Sequence, residues 1–310
     1  MISLLKKKSR TKGLTSLVFT EGGVAVAHIT DGKSQPELLT CKYFPTSKSY
    51  SDLPALREYI SQHQLENCRT VVVLPASEYQ LLLVERPDVP ENEIKEALRW
   101  RIKDLISFDV EQASIDYIDL PEDAYRGRSQ MLYVIVAQKA SVDKLVKWCK
   151  THELVPIAVD VPELALLNLT EDLADSEAGL AVFSIDQQGS SINLLSSGAL
   201  YFSRHVSYHL SSTEVGSESS AVLELQRSLD YYESQVGKPP CVRLLVMPVQ
   251  PDDSALLNEL RQSLPLDVHS LDLDRLLLSK VELTPELQQY TTVAIAAALR
   301  TDLGRGDSVQ

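Results

Sequence analysis

The sequence predicts a two-lobed α/β protein in which each lobe is built on the element order β-β-β-α-β. Three observations support this fold class. The order occurs between residues 14 and 74 and again between 179 and 247, without a visible sequence repeat. A chain of 310 residues has the length of two domains or of one bilobal unit. The acidic segment 170–178, in which Leu173 is the single large apolar residue, separates the two halves.

The first half opens with two β-rich runs on either side of Glu21-Gly22-Gly23, a pattern typical of a hairpin. They are followed by a third strand, an amphipathic helix and an apolar run that ends at Pro75. The predicted elements of this part are, in order, strands over 14–20, 24–30 and 37–44, a helix over 51–65, and a strand over 70–74.

Residues 78–152 interrupt this order, and we expect them to form an insert in the first lobe. Runs of alternating or apolar residues predict strands there, and Ser141 is a typical N-cap. The expected elements are strands over 78–84, 113–118 and 131–137, a helix that begins at Pro90, and a helix over 141–151. A short strand over 155–159 and a helix over 162–169 then return the chain to the main part of the lobe.

The pattern restarts after the acidic segment. A tight turn over 196–198 joins two strands, and Gly237 ends a helix. The predicted elements are strands over 179–185, 191–195, 199–206 and 242–247, helices over 221–236, 254–262 and 286–300, and a short strand near Asp267. We therefore divide the chain into a basic tail over 1–12, a first lobe over 13–170, a second lobe over 171–303 and a tail over 304–310.

Two side chains of the helix that begins at Pro90 do not fit a plain amphipathic pattern. At 100° per residue, Arg101 is predicted to point into the apolar face, where it needs a partner or must extend its charge to water. Trp100 points away from that face, so it is either an interface anchor or packs on a neighbouring element. The apolar face consists of Ile94, Ala97, Leu98, Ile102, Leu105 and Ile106.

Composition excludes several classes of partner and site. The net charge of −13 argues against nucleic acid as the main partner. No run of about 18 apolar residues occurs, so we expect no membrane-spanning segment. The cysteines form no CxxC pair, which predicts reduced cytosolic thiols. His205 and His209 have the spacing of two metal ligands, but no Glu or Cys completes a set, and we expect no metal site.

A basic cluster near the start of the chain has two interpretations. It is either a solubilising tail or a weak contact with an anionic inner leaflet, worth roughly 1 kcal/mol per basic residue. The apolar part before it is too short for a signal peptide. The cluster consists of Lys6, Lys7, Lys8, Arg10 and Lys12.

The segment 85–117 resembles the PilM family, actin-like cytoplasmic proteins of type IV pilus assembly. The resemblance rests on Leu98-Arg99-Trp100, on Ile106-Ser107-Phe108, and on an acidic turn into a strand that ends at Asp116-Tyr117. The family typically has Arg-Trp-Glu and Ile-Pro-Phe, and this divergence is closest to its MshI branch, from mannose-sensitive haemagglutinin (MSHA) pilus biogenesis. The helix segment 225–232 is similar to the family as well.

This resemblance implies a fold, a partner and a location. The duplicated element order is that of the actin-like ATPase (ribonuclease H-like) fold. The implied partner is a PilN-like single-span inner-membrane protein, MshJ in this branch. Its cytoplasmic N-terminal peptide would bind between the main part of the first lobe and the insert, and Arg99 and Trp100 are candidate partner-binding residues. We expect a cytoplasmic protein held at the inner-membrane face through this partner.

The resemblance also implies an ATP cleft, but the residues that would use it are missing. In the first hairpin, Val18 stands where the fold has an aspartate, although Gly22 and Gly23 supply the small turn residues that phosphates need. Glu21 would face the phosphates with like charge.

The second hairpin and the late loop also lack residues that would be needed to bind ATP. Ser184 stands at the aspartate position and Asp186 at the glycine position, followed by a turn that contains Gly189. The late loop over 247–251 has no glycine. We therefore expect a non-catalytic adaptor without a cofactor, with Mg-ATP disfavoured. The alternatives are an ATP-binding switch of the same fold and an actin-like sugar or acetate kinase.

Overall fold

The computed structural model describes residues 12–31, 35–46, 53–125, 127, 129–170, 173, 178–186, 189–209 and 217–301. The basic cluster before Lys12 and the tail over 304–310 lie outside these residues. The strands are β1 (Leu14–Thr20), β2 (Gly23–Asp31), β3 (Pro36–Pro45), β4 (Arg69–Val73), β5 (Tyr79–Glu85), β6 (Ala113–Asp119), β7 (Met131–Gln138), β8 (Val155–Asp160), β9 (Gly179–Ile185), β10 (Ser190–Ser196), β11 (Ala199–Val206), β12 (Cys241–Met247), β13 (Asp267–Ser270) and β14 (Leu278–Ser279). The helices are α1 (Pro54–Gln62), α2 (Ile94–Ile102), α3 (Lys139–Thr151), α4 (Pro162–Ala165), α5 (Leu167–Thr170), α6 (Ser217–Tyr231), α7 (Ala255–Ser263), α8 (Leu273–Leu276) and α9 (Pro285–Ala298).

The first lobe is built on a six-stranded sheet with the order β14-β3-β2-β1-β4-β8. β1, β2 and β3 are antiparallel, whereas β4 is parallel to β1 and β8 is parallel to β4. Successive side chains of a strand point to opposite faces. Leu17 and Phe19 therefore pack with Trp148 of α3 on one face, while Val18 packs with Ala294 of α9 on the other.

The second lobe repeats this topology in a five-stranded sheet with the order β11-β10-β9-β12-β13. Its first three strands are antiparallel, and β12 and β13 continue parallel to β9. One face is covered by α6 and α7, whose Leu225, Leu257 and Leu260 are fully buried. The duplicated β-β-β-α-β order predicted from the sequence is confirmed.

The end of the chain departs from its predicted place in the second lobe. β14 pairs with β3 in the first sheet, and α9 packs on β1, β2 and β3. The buried alanines of α9, from Ala294 to Ala298, share one apolar cluster with Val18 of the first sheet and Val182 of the second. The periodicity of a helix shows that it has an apolar face, but not which sheet that face will cover.

The insert contains the three-stranded antiparallel sheet β5-β7-β6. One face packs on α2 through Val134 and Val136, and the other reaches the second lobe through Leu81 and Tyr133. α3, which we assigned to the insert, places Trp148 in the core of the six-stranded sheet. The insert sheet therefore bridges the two lobes, and the packing of α3 belongs with the first.

α2 is shorter than the sequence predicts. A 3₁₀ turn over Glu91–Glu93 leads into the helix, which ends at Ile102. Ile94, Leu98 and Ile102 are fully buried as expected, but Leu105 is 55% exposed. Beyond the helix, Ile106 still packs against the same cluster while partly buried, so Leu105 is the member of the predicted apolar face that points to solvent.

Candidate functional site

A cleft between the two sheets collects residues from both predicted nucleotide hairpins. Val18, Ser184, Asp186 and Gly189 all line one cavity, together with Tyr290 of α9. The cavity has a volume of about 90 Å³. Residues of both hairpins therefore line one cleft, and the space between them is small.

Packing contacts, rather than contacts with a ligand, account for the residue types in the first hairpin. Val18 is almost fully buried in an apolar cluster, so an apolar side chain fills the position of the aspartate. A Cβ on Gly23 would lie 2.3 Å from the carbonyl oxygen of Phe44, and one on Gly22 would lie 2.9 Å from the hydroxyl of Tyr43. The close approach of β3 requires glycine at Gly23, where the neighbour is backbone, whereas at Gly22 the neighbour is the end of the Tyr43 side chain, which can move aside.

The second hairpin keeps one carboxylate at the cleft. The backbone N–H of Asp186 donates to the carbonyl of Gly189 at 2.8 Å and closes the turn. Ser184 is buried at the end of β9, where it lies between Ser191 of β10 and Met247 of β12. Within the described residues, His, Cys, Asp and Glu side chains form no group of three that could hold a metal ion.

Three side chains at the cleft form a hydrogen-bonded cluster that joins separate parts of the chain. Tyr79 begins β5, Glu163 lies in the first turn of α4, and His205 lies near the end of β11. The hydroxyl of Tyr79 donates to Glu163 Oε2 at 2.6 Å and lies 3.3 Å from His205 Nε2, and His205 Nε2 also forms a close ion pair with Glu163 Oε1. We call these three residues the cleft triad.

The electrostatics of the cleft triad follow from the burial of Glu163, which is 0% exposed. The hydrogen bond to Glu163 raises the pKa of His205 above its usual range. Burial, reinforced by the negative charge of Glu163, raises the pKa of the Tyr79 phenol well above 10. The backbone carbonyl of Glu163 accepts from Asn193 Nδ2 at 3.0 Å, so β10 also holds this turn of α4.

A second and larger cavity, which we call the insert groove, lies where the insert meets the main part of the first lobe. Its volume is about 640 Å³. Ile118 and Leu120 of the insert line one side, and Leu164 and Leu167 from α4 and α5 line the other. The turn after β10 and the end of α9 close it, where Arg300 is paired with Asp160 at 2.9 Å.

The candidate partner-binding residues lie on α2, away from both cavities. Trp100 is 68% exposed, as expected of a side chain off the apolar face, and Lys103 Nζ lies 5.4 Å from its ring centroid. Arg99 donates to the carbonyl of Val110 at 2.8 Å, so it holds the loop that precedes β6 against α2.

Arg101 does not enter the core. Its side chain is 44% exposed and lies 3.6 Å from Glu85. The expectation of an inward Arg101 was therefore wrong. Because α2 buries a narrow stripe at Ile94, Leu98 and Ile102, the position at 101 falls beside that stripe rather than within it.

Comparison with known proteins identifies the fold. No protein-family model and no curated protein sequence matches the chain. The structure of a PilM–PilN type IV pilus biogenesis complex superposes on it with a TM-score of 0.75, over 94% of this chain and 98% of that chain, at 18% identity. The chain has an actin-like fold. A Bacteroides thetaiotaomicron protein with an actin-like ATPase fold has a TM-score of 0.54 at 13% identity, over 87% of this chain and 94% of that one. The cytoplasmic domain of EpsL, an inner-membrane component of the Vibrio cholerae type II secretion system, has a TM-score of 0.53 at 14% identity, over 94% of this chain and 98% of that one.

Within this actin-like fold, sequence reasoning found the hairpins of the cleft but missed the cleft triad. His205 was considered only with His209 as a metal ligand, and Glu163 was an unremarked acidic residue after Pro162. A carboxylate in the first turn of a short helix is ordinarily explained by the helix dipole. Only the packing of β11 against α4 shows that Glu163 is buried and paired with His205.

Proposed function

We propose that this chain is a non-catalytic adaptor of type IV pilus assembly, specifically of the MSHA pilus. In this proposal it binds the cytoplasmic N-terminal peptide of a PilN-like single-span inner-membrane protein, MshJ in the MSHA system. The insert groove carries the proposal, because it lies between the insert and the main part of the first lobe. The extent of the superposition on a PilM–PilN complex supports it.

The chemistry of the insert groove suits an extended peptide with aliphatic side chains. Its volume of about 640 Å³ falls within the range of roughly 300–1,000 Å³ typical of ligand sites. Leucine and isoleucine side chains from the insert and from α4 and α5 line it, and Asp119, Asp160 and Arg300 add polar groups. Asp119 is held by Arg86 at 2.9 Å and Asp160 by Arg300, so these charges are fixed in place.

The cleft supports the absence of catalysis in this proposal. A cavity of about 90 Å³ is smaller than the several hundred Å³ that a drug-sized ligand occupies. Val18 offers no carboxylate to a magnesium ion, and the backbone of Phe44 accounts for the glycine at Gly23. The proposed location is the inner face of the cytoplasmic membrane, reached through the partner. In the described part of the chain, no helix combines the length and apolarity needed to cross a bilayer.

Fluorescence anisotropy with the N-terminal peptide of the single-span protein encoded next to this chain tests the proposal. We expect saturable binding with a Kd below about 1 mM, which corresponds to some −4 kcal/mol. Glu122→Trp places a bulky side chain on the rim of the insert groove at an exposed position, and should abolish binding without unfolding the chain.

Glu58→Trp is the matched control, because Glu58 is an equally exposed glutamate on α1, outside the residues that line the groove. It should leave the affinity unchanged. Absence of saturable binding by the unmodified chain would refute the proposed function. Equal binding by both variants would place the peptide elsewhere.

A further inference from the structure

The cleft triad connects three parts of the molecule through a single buried carboxylate. Tyr79 belongs to the insert, Glu163 to the first lobe and His205 to the second lobe. A buried carboxylate that loses its charged partner is strongly destabilising. Separation of the lobes at this point would therefore leave Glu163 with an uncompensated charge unless water or a proton replaced His205.

The groups around His205 favour its protonated form. Glu163 of α4, the hydroxyl of Tyr79 and a backbone hydrogen bond to Ser190 of β10 contact the ring, and Asp186 adds a further negative charge across the cleft. The negative charge of Asp160, at the end of β8, raises the pKa of Tyr79. The side chain of His205 is also 48% exposed, so solvent protons can reach it through the cleft.

The same short helix forms a wall of the insert groove. Leu164 follows Glu163 directly and lines the groove, as does Leu167 at the start of the next helix, α5. β11 links the two sites as well, because Ala199 at its start lines the groove while His205 near its end belongs to the cleft triad. A change at the triad therefore reaches the groove through α4 and β11 without crossing any loop.

We propose that Tyr79, Glu163 and His205 form a protonation-dependent latch that fixes α4 between the two lobes and thereby sets the shape of the insert groove. With His205 protonated, the lobes and the insert are held together and the groove is formed. Deprotonation removes the positive charge beside the buried carboxyl group of Glu163, which keeps the hydrogen bond from Tyr79 but loses its ion pair with His205. The loss of this ion pair releases α4 and weakens peptide binding. The effect on peptide binding rests on the proposed function, whereas the latch itself does not.

The sign of the pH dependence follows from the raised pKa of His205. A group whose pKa is higher in the folded state adds stability that is fully present below its unfolded pKa, about 6.5, and is lost as pH rises through the folded value. Between these two pKa values, each pH unit should weaken the latch by up to about tenfold, and the peptide Kd should rise accordingly until the dependence levels off above the folded value.

The test follows the full-length chain from about pH 6 to pH 9, a window around the ordinary pKa of histidine. NMR titration of the imidazole gives the pKa of His205, urea melts give stability, and amide exchange over 164–166 reports release of α4. We expect Glu163→Gln to return the pKa of His205 toward 6.5. His205→Gln should remove the pH dependence of stability and of exchange.

His269→Gln is the control, because His269 forms an exposed ion pair with Asp267 at 2.8 Å, outside the triad. It should keep the pH dependence of the unmodified chain. A His205 pKa that is not raised, or a His205→Gln variant that keeps the pH dependence, overturns the latch. A latch that titrates while peptide affinity stays constant overturns the coupling to the groove. If no peptide binds at any pH, the proposed function fails, and the NMR, melting and exchange data still decide the latch.

Discussion

Addition of Mg-ATP should leave the thermal stability of this chain unchanged. A ligand present at 100 times its Kd stabilises a protein by about 2.7 kcal/mol. For a chain of this size, each kcal/mol moves the melting midpoint by roughly 2 °C, so binding would raise it by about 5 °C. The structure argues against such a rise in the melting midpoint, because the cavity in the cleft between the two hairpins has a volume of about 90 Å³ and Asp186 would face the phosphates with like charge. Differential scanning fluorimetry at millimolar Mg-ATP measures the shift, and we expect it within error of zero.

Rebuilding the missing carboxylate sharpens this test. Val18→Asp restores the residue type that the actin-like fold carries at this position, but it places a charge in the apolar cluster that contains Ala25 and Val73. An uncompensated buried charge costs about 3 kcal/mol or more, so the midpoint should fall by at least about 6 °C, with or without Mg-ATP. A saturable rise with Mg-ATP that disappears with EDTA, in either protein, would refute our account of the cleft and favour an ATP-binding switch.

Further predictions concern α2 and the contact between the insert and the second lobe. Trp100→Ala should change the free energy of unfolding by no more than about 1 kcal/mol, and the proposed function predicts that it weakens pilus assembly, whereas Leu98→Ala should cost about 2–5 kcal/mol. Urea melts compare the two, and a larger loss for Trp100→Ala would reverse their roles. Arg101→Ala should cost less than about 1 kcal/mol because its pair with Glu85 is exposed, and a larger loss in the same melts would contradict this. Asp123→Asn should destabilise at neutral pH, since its hydrogen bond to Lys238 lowers the pKa of this carboxylate. A lowered pKa gives stability that is present above the unfolded value of about 3.9 and is lost as pH falls through the folded value, so melts should converge in acid.

The sequence was informative where neighbouring residues determine the outcome. The glycines after Thr20, the apolar run before Pro75 and the Gly237 helix end all correspond to observed elements, because turn chemistry and periodicity act over a few residues. The sheet that α9 covers and the exposure of Arg101 were not predicted. The first depends on which sheet a helix meets in the fold, and the second depends on how wide the buried stripe of α2 is. The cleft triad was beyond sequence reasoning for the same reason, because Tyr79 and His205 are 126 residues apart along the chain.

The first hairpin shows why turn glycines alone are weak evidence for a nucleotide site. In a phosphate-binding turn, glycine is needed because the backbone must approach a ligand closely. At Gly23 the close neighbour is instead the Phe44 carbonyl of β3, and a side chain there would overlap it at 2.3 Å. The packing of the meander therefore requires glycine whether or not a phosphate ever binds. The discriminating position is Val18, where an apolar side chain contributes to the core and cannot serve a metal ion. The residue beside the turn, rather than the turn itself, carries the information about ATP.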